Sequence, residues 1–328
     1  MKGQGHVSTH ALSAGYLTLP EAFFVKPLDD PLARKTVPSL SFLVQHVDPT
    51  TLTTTRIVFD LGIRRRLSDY AAPIYKHAMT RQPLSGDNDA VSSLAKGGLS
   101  PNDIDIVMFS HLHWDHIGTP SDFPSSSYVV GPGAGGLIDG SRGSEIGSHN
   151  HFEQGLLDPK RLIELPQIGG WTPPPVDETR AHQLAPQTSE IKKLFAKPWG
   201  RNSIFDATLD VFGDGSLYVV SAPGHLDGHI NLLCRKESGD YVYLAGDSCH
   251  DRRLLQGTKD IATWSDPEFP GYVCCIHKDK AAAEKTLAKI RSVMSGGSEL
   301  GNVEVIFTHD LAWEQEALSK GRFFPGTI

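Results

Sequence analysis

Ser110 to His116 reads Ser-His-Leu-His-Trp-Asp-His, and it follows without a break on the apolar run Asp105 to Phe109 (Asp-Ile-Val-Met-Phe). A short continuous apolar run reads as a buried strand. Three imidazoles and a carboxylate, crowded into six positions, therefore leave the end of a strand inside a folded core. On extended backbone, residues two apart point the same way, so His111 and His113 can face one metal ion. Asp115 and His116 then fall at the turn, where they can face a second ion nearby. Imidazole nitrogen and carboxylate oxygen are the ligands a borderline cation such as Zn²⁺ takes. A polar turn with chance histidines would explain one histidine; it does not explain this density.

Three more segments repeat the placement. Pro223-Gly224-His225-Leu226-Asp227-Gly228-His229 follows the strand-like Leu217 to Val220. Ala245-Gly246-Asp247 follows Tyr241 to Leu244, and Thr308-His309-Asp310 follows Val303 to Phe307. Each puts a His or Asp at the C-terminal end of a strand, where α/β proteins collect site residues. Other short strands are expected at Ser39 to Val47, Thr55 to Asp60 and Ser127 to Val130. Ile230 to Cys234 and Tyr241 to Ala245 read as a hairpin through Glu237-Ser238-Gly239-Asp240. The clearest helix is Asp279 to Met294, with Asp at its N-cap, an Ala-rich first turn and Leu287, Ile290 and Met294 at spacings of three and four. Asp87 to Leu94 is a second candidate. The stretch 131–198, rich in Gly, Pro and His, reads as an insertion on the substrate side of a single domain covering 1–328.

Composition excludes several classes. The 328 residues carry a net charge of −7 and no Lys/Arg-rich block, which argues against nucleic acid as the main partner. No run of about 18 apolar residues is present, so no membrane span is expected. Four cysteines without a Cys-x-x-Cys pair do not make a disulfide scaffold. Met1 to Tyr16 shows no secretory pattern, and a reducing, cytoplasmic setting is expected.

Together these motifs resemble the metallo-β-lactamase superfamily. Its H-x-H-x-D-H motif corresponds to His111-Leu112-His113-Trp114-Asp115-His116, its P-G-H-x-x-G-H element to Pro223–His229, its Gly-Asp to Gly246-Asp247, and its final His to His309. The resemblance runs from about Gly15 to Asp310. It implies an α/β fold, a four-layer αββα sandwich, with a dinuclear site at one edge of its two sheets. The N-acyl homoserine lactonase branch is the most similar, through Ala14 to Glu21, the spacing from His225 to Asp247, and Phe307 to Asp310 followed by Phe324-Pro325. Where lactonases place a Tyr three residues after the bridging Asp, this chain has His250, and 131–198 looks longer than the lactonase pattern.

The resemblance implies that His111, His113 and His225 hold one divalent metal ion, that Asp115, His116 and His309 hold another, and that Asp247 bridges them; zinc is the first choice, with manganese, cobalt or iron open. It further implies attack on a carbonyl carbon by a metal-bridging hydroxide, ionised near neutral pH. Asp115 would orient the nucleophile or shuttle its proton. His250 would donate a proton to the leaving group or stand as a surface or supporting histidine, the two being weighed equally. Asp60, His229 and Asp310 are expected to support ligands rather than bind metal, and Cys249 to be a buried apolar filler. His149, His151 and His182 would line the substrate mouth or sit exposed. Trp114, Trp171, Phe195, Trp199 and Phe205 would form an apolar wall or simply pack in the core.

The leading function is hydrolysis of a lactone, acyl-homoserine-lactone-like or another small cyclic ester, in quorum quenching or detoxification. A lactam or cyclic carbamate such as a benzoxazolinone is the rival, and a thioester a third choice. A β-lactam-resistance enzyme, a flavo-diiron protein, a nuclease and a ligand-binding pseudo-enzyme each lack their expected features here. A small-molecule partner follows, and both a monomer and a homodimer are compatible with the lactonase branch.

Overall fold

The structure is a computed structural model that describes residues 5–141, 147–170, 183–267 and 270–328. Twelve strands form two six-stranded sheets. The first runs in sequential order: β1 (Ser8–Pro20), β2 (Arg34–Val47), β3 (Thr54–Phe59), β4 (Ile106–Met108), β5 (Ser127–Val130) and β6 (Leu162–Glu164). β1, β2 and β3 pair antiparallel, whereas β3 to β6 pair parallel. The second sheet holds β7 (Gly200–Asn202), β8 (Phe205–Asp210), β9 (Leu217–Ser221), β10 (Ile230–Arg235), β11 (Tyr241–Leu244) and β12 (Val303–Ile306), again in sequential order. All its pairs are antiparallel except β11 with β12.

Alternation along each strand sorts side chains between two cores. Ile57 and Phe59 of β3 join Phe42, Ile106, Leu232 and Leu244 between the sheets. Val58, between them in sequence, faces outward with Leu43 and Val107 towards the helices. On that outer side lie α1 (Ala72–Ala78), through Ile74 and Ala78, and α2 (Ala90–Ala95), through Ala90 and Leu94. Beyond the second sheet lie α4 (Arg252–Leu255) and α5 (Lys280–Met294), through Leu254, Leu287, Ile290 and Val293, against Leu233, Tyr243 and Val305. α3 (Pro186–Phe195) and α6 (Leu311–Ser319) send Phe195, Trp313 and Ala317 to the inter-sheet core. The four-layer αββα sandwich is therefore present.

Most expected elements are found. α5 starts where Asp279 caps it by accepting from Ala282 N–H at 2.9 Å. α2 starts at Asp89 rather than at residue 87, because Asp89 accepts from Ser92 N–H. The stretch 131–198 is more regular than its composition suggests: it supplies β6, paired parallel with β5, and α3.

Parallel neighbours end at the same edge of a sheet. β3 and β4 thus deliver Asp60 and Ser110–His116 side by side, and β11 and β12 deliver Asp247 and His309. Backbone bonds lock the two edges together. Ile230 N–H donates to Ser110 O at 2.9 Å, and Leu40 N–H donates to Thr308 O at 3.1 Å.

Candidate metal centre

All seven side chains expected as ligands meet at this shared edge, and all are buried. They form two adjacent groups. His111, His113, His225 and Asp247 each offer one ligand atom within 4.8 Å of the others, and Asp115, His116 and His309 do the same. His111 Nε2 and His225 Nε2 lie 2.9 and 3.0 Å from His113 Nδ1. Asp247 stands between the groups. Its Oδ2 is 3.3 Å from His116 Nε2 and 3.5 Å from His225 Nε2, and its Oδ1 is 3.3 Å from His309 Nε2.

The loop 110–116 is held in place from outside. Asp60 adopts a left-handed backbone (φ 61°), which Asp tolerates better than most residues. There its Oδ1 accepts from Ser110 N–H and its Oδ2 from the Ser110 hydroxyl, both at 2.7 Å. Asp60 Oδ2 also lies 2.9 Å from His116 Nδ1, which assigns the proton to Nδ1 and turns Nε2 towards Asp247. Ser39 Oγ donates to Asp115 O at 2.6 Å, Tyr70 Oη donates to Trp114 O at 2.8 Å, and His309 Nδ1 donates to Pro38 O at 2.8 Å. Gly246 (φ 48°) gives the close turn before Asp247; a Cβ there would lie 2.9 Å from Ser110 Cβ and 3.0 Å from His229 Nε2.

Electrostatics divide the histidines. Burial, reinforced by neighbouring imidazoles, holds His111, His113 and His225 well below the usual imidazole range, so they stay neutral with a lone pair to give. Burial also opposes charge on His116 and His309, but Asp247, with Asp60 at His116 and Asp115 at His309, outweighs it and raises both. Asp247 is itself disfavoured as an anion by burial, yet His116, His250 and His309 around it hold its carboxyl well below the usual carboxylate range. A site that draws protons onto ring nitrogens between buried carboxylates wants positive charge there, and a metal ion competes for the same lone pairs. The donor set, five imidazoles and two carboxylates, therefore fits divalent cations.

The surrounding residues sort by geometry. His229 accepts from Asp247 N–H at 3.1 Å, as a neutral ring lowered to about 3 by burial. His250 Nε2 is 3.0 Å from Asp247 Oδ2. Cys249 is a buried thiol pushed up to about 12 by burial. Asp310 caps α6 through Trp313 N–H and pairs with Arg252, a role in the helix end. His149 stacks 5.6 Å from His113, and His151 lies 4.4 Å from His77.

A cavity of about 40 Å³ opens on the candidate ligands His113, Asp115, His225, Asp247 and His309, between Leu17, Phe24, Trp114 and Ile276. Of the aromatic residues expected as a wall, Trp114 lines this cavity. Phe195 instead belongs to the inter-sheet core, Trp199 packs half-buried against that core, and Phe205 stacks on Tyr243 at 5.2 Å, all three away from this cavity. Trp171 and His182 lie outside the described residues. A larger cavity of about 730 Å³ opens beside His229 and His277 and is lined by none of the seven candidate ligands.

Two further side chains went unread in the sequence. His277 Nδ1 lies 3.3 Å from His225 Nδ1, and His277 forms a third close group with His225 and His250. It follows Cys274-Cys275-Ile276, and its only signal was an isolated His just before a helix N-cap. Arg81 lines the ligand cavity and belongs to no motif.

Comparisons with known proteins agree with this fold. The cytochrome P450 monooxygenase mpaDE of Penicillium roqueforti (strain FM164) is 30% identical over 95% of this chain and 34% of its own length. The gamma-lactamase FDB1 of Fusarium pseudograminearum (strain CS3096) is 27% identical over 73% of this chain and 52% of its own length. The chain thus spans about a third to a half of the length of these curated relatives. An N-acyl homoserine lactone hydrolase, solved with N-hexanoyl-L-homoserine at its catalytic metal centre, superposes with a TM-score of 0.60 at 15% identity, covering 100% of both chains. The family model of the metallo-beta-lactamase superfamily matches residues 35–247, well over half of the chain, and the chain belongs to that superfamily.

Proposed function

We propose that this chain is a dinuclear metal-dependent hydrolase that opens a lactone ring. The observation that carries the reading is the pair of buried ligand groups meeting on Asp247. His111, His113 and His225 would hold one cation, Asp115, His116 and His309 the other, with Asp247 shared and zinc suited to the nitrogen and oxygen donors. Bound divalent cations would supply two things: water ionised near neutral pH and a Lewis acid for a carbonyl oxygen. Leu17, Phe24, Trp114 and Ile276 exclude bulk water around the scissile bond. Asp115, at the cavity wall, orients the attacking water and takes its proton. His250 hands a proton to the leaving atom.

The second reading is a lactam or cyclic carbamate. It is favoured by His250 on the cavity wall, since an amide nitrogen leaves poorly unless protonated, and by the relative described as a gamma-lactamase. The chain is read as one catalytic unit, with 131–198 on the substrate side through the stacking of His149 and Phe152 on His113. Its four free cysteines suit a reducing, cytoplasmic setting. Among the described residues no helix is long and apolar enough to cross a membrane.

The test is metal analysis of the purified protein, followed by a panel of lactones, lactams, carbamates and thioesters with and without chelator. Two metal equivalents and chelator-sensitive opening of a lactone are expected; a metal-replete protein that opens no ring would defeat the proposal. Sedimentation of the same preparation separates monomer from homodimer.

A further inference from the structure

Arg81 closes the short turn Met79–Arg81 that follows α1. Its half-buried side chain lines the same cavity as Asp115, His225, Asp247 and His250. One face of the guanidinium lies over the Phe23 ring, 5.8 Å from its centroid, and Phe23 is backed by Trp264 at 4.7 Å. Among the described residues the five N–H donors of Arg81 make no hydrogen bond and no ion pair.

An unspent cation on the wall of a reaction cavity calls for an acceptor. Burying a charge without a partner is costly. The side chains around it do not meet that need. His77 and His151 are neutral imidazoles, both lowered by burial, and Arg34 is another cation. Arg34 spends its own Nη2 on Thr80 O and Gln82 O, each at 3.2 Å, and so braces the backbone on both sides of Arg81. Among the described residues the Asp115 carboxylate favours charge on Arg81, but it forms no ion pair with it, standing instead with His116 and His309. A guanidinium fork braced in this way matches a carboxylate in bidentate fashion.

We propose that Arg81 is a specificity-determining residue that binds a carboxylate carried by the substrate, so that the ring opened at this site belongs to an anionic lactone or lactam. This rests on the reading of the site as a ring-opening hydrolase. Ring opening adds water across the acyl bond: the acyl carbon gains a hydroxyl, the ring oxygen or nitrogen leaves with a proton, and a second carboxylate is created. Arg81 stays on the first carboxylate and takes no part in bond making.

The experiment compares the metal-loaded full chain with Arg81→Met and Arg81→Lys on 5-oxotetrahydrofuran-2-carboxylate and its methyl ester. In the parent, kcat/KM for the acid exceeds that for the ester by about tenfold or more, mainly through KM. In R81M the acid-to-ester ratio falls to about one, and R81K keeps an intermediate ratio, as a point charge replacing a fork does. Calorimetry with tetrahydrofuran-2-carboxylate, which has no ester to open, gives a second readout: binding weakens by about tenfold in R81M. The same ratio in parent and R81M, or equal binding by calorimetry, overturns the assignment. So does an equal loss on acid and ester, which marks a transition-state or structural role. If neither ring is opened by any variant, the hydrolase reading fails, and calorimetry still decides whether Arg81 binds the carboxylate.

Discussion

Asp247 shows how one buried carboxylate can be kept ionised. Burial works against its charge, but three imidazoles surround it and its own N–H is tied to His229. Asp60 does comparable work one step back by holding Ser110 and His116 together. Replacing Asp60 by Ala removes the acceptor that sets the His116 tautomer, and metal affinity should fall about 10- to 100-fold in a chelator competition. Unchanged affinity would show that His116 needs no such support. His77 carries a pH prediction. Burial, with Arg81 second, lowers its imidazole to about 3, against about 6.5 in an unfolded chain. Between those values the unfolded chain binds a proton that the folded chain refuses. Its contribution is therefore intact above pH 6.5 and is lost as pH falls, at up to ~1.4 kcal/mol per unit. Urea melts at pH 7 and pH 5 should show the parent losing ~2 kcal/mol more than His77→Gln; equal losses would refute the burial argument.

Elements reach the site through their ends. α5 begins beside it, because Asp279 caps the helix while Lys278 N–H and Asp279 N–H donate to His225 O and Gly224 O at 3.0 and 2.9 Å. The capping loop and the loop carrying His225 are thus one structure. Asp279→Ala should cost about 1 kcal/mol in chemical denaturation, the usual value of a lost N-cap. Gly224 allows the close approach: with φ at 131°, a Cβ would lie 2.2 Å from Ala283 N. Gly224→Ala should cost more than about 1 kcal/mol, since neither the backbone angle nor the space accepts a methyl group. A melting temperature equal to the parent's would show that the loop relaxes freely. These two variants should also weaken metal binding through His225, whereas a cap lost elsewhere, at Asp89 of α2, should not.

At the scale of the molecule, two sheets meet and their shared edge gathers like-minded donors into a small space. A cation bound there stabilises the folded chain by mass action, in proportion to the logarithm of its concentration over its dissociation constant. Removal of metal by chelator should lower the melting temperature and abolish ring opening, and added zinc should restore both. At metal concentrations about 100 times the dissociation constant the gain is ~2.7 kcal/mol. A melting curve indifferent to metal would mean that the seven side chains hold no ion.

Much of this could be read in advance because the relevant signals are local. The ligand types, their two-residue spacing at His111 and His113, and the apolar runs before Asp247 and His309 are visible in one dimension, as is the Asp-capped start of α5. His277, Arg81 and the true positions of Phe195 and Phe205 could not be read that way. His277 reaches His225 across 52 positions, and Arg81 comes to the cavity from a turn after α1 with no motif around it. Periodicity says which side of a strand a residue takes, but only the packing of one sheet on another says which edge it meets. The sequence by itself thus set out the candidate donors and the family the chain belongs to. The tertiary structure decided which other groups crowd that chemistry, because neighbours far apart along the chain are chosen by how the layers stack.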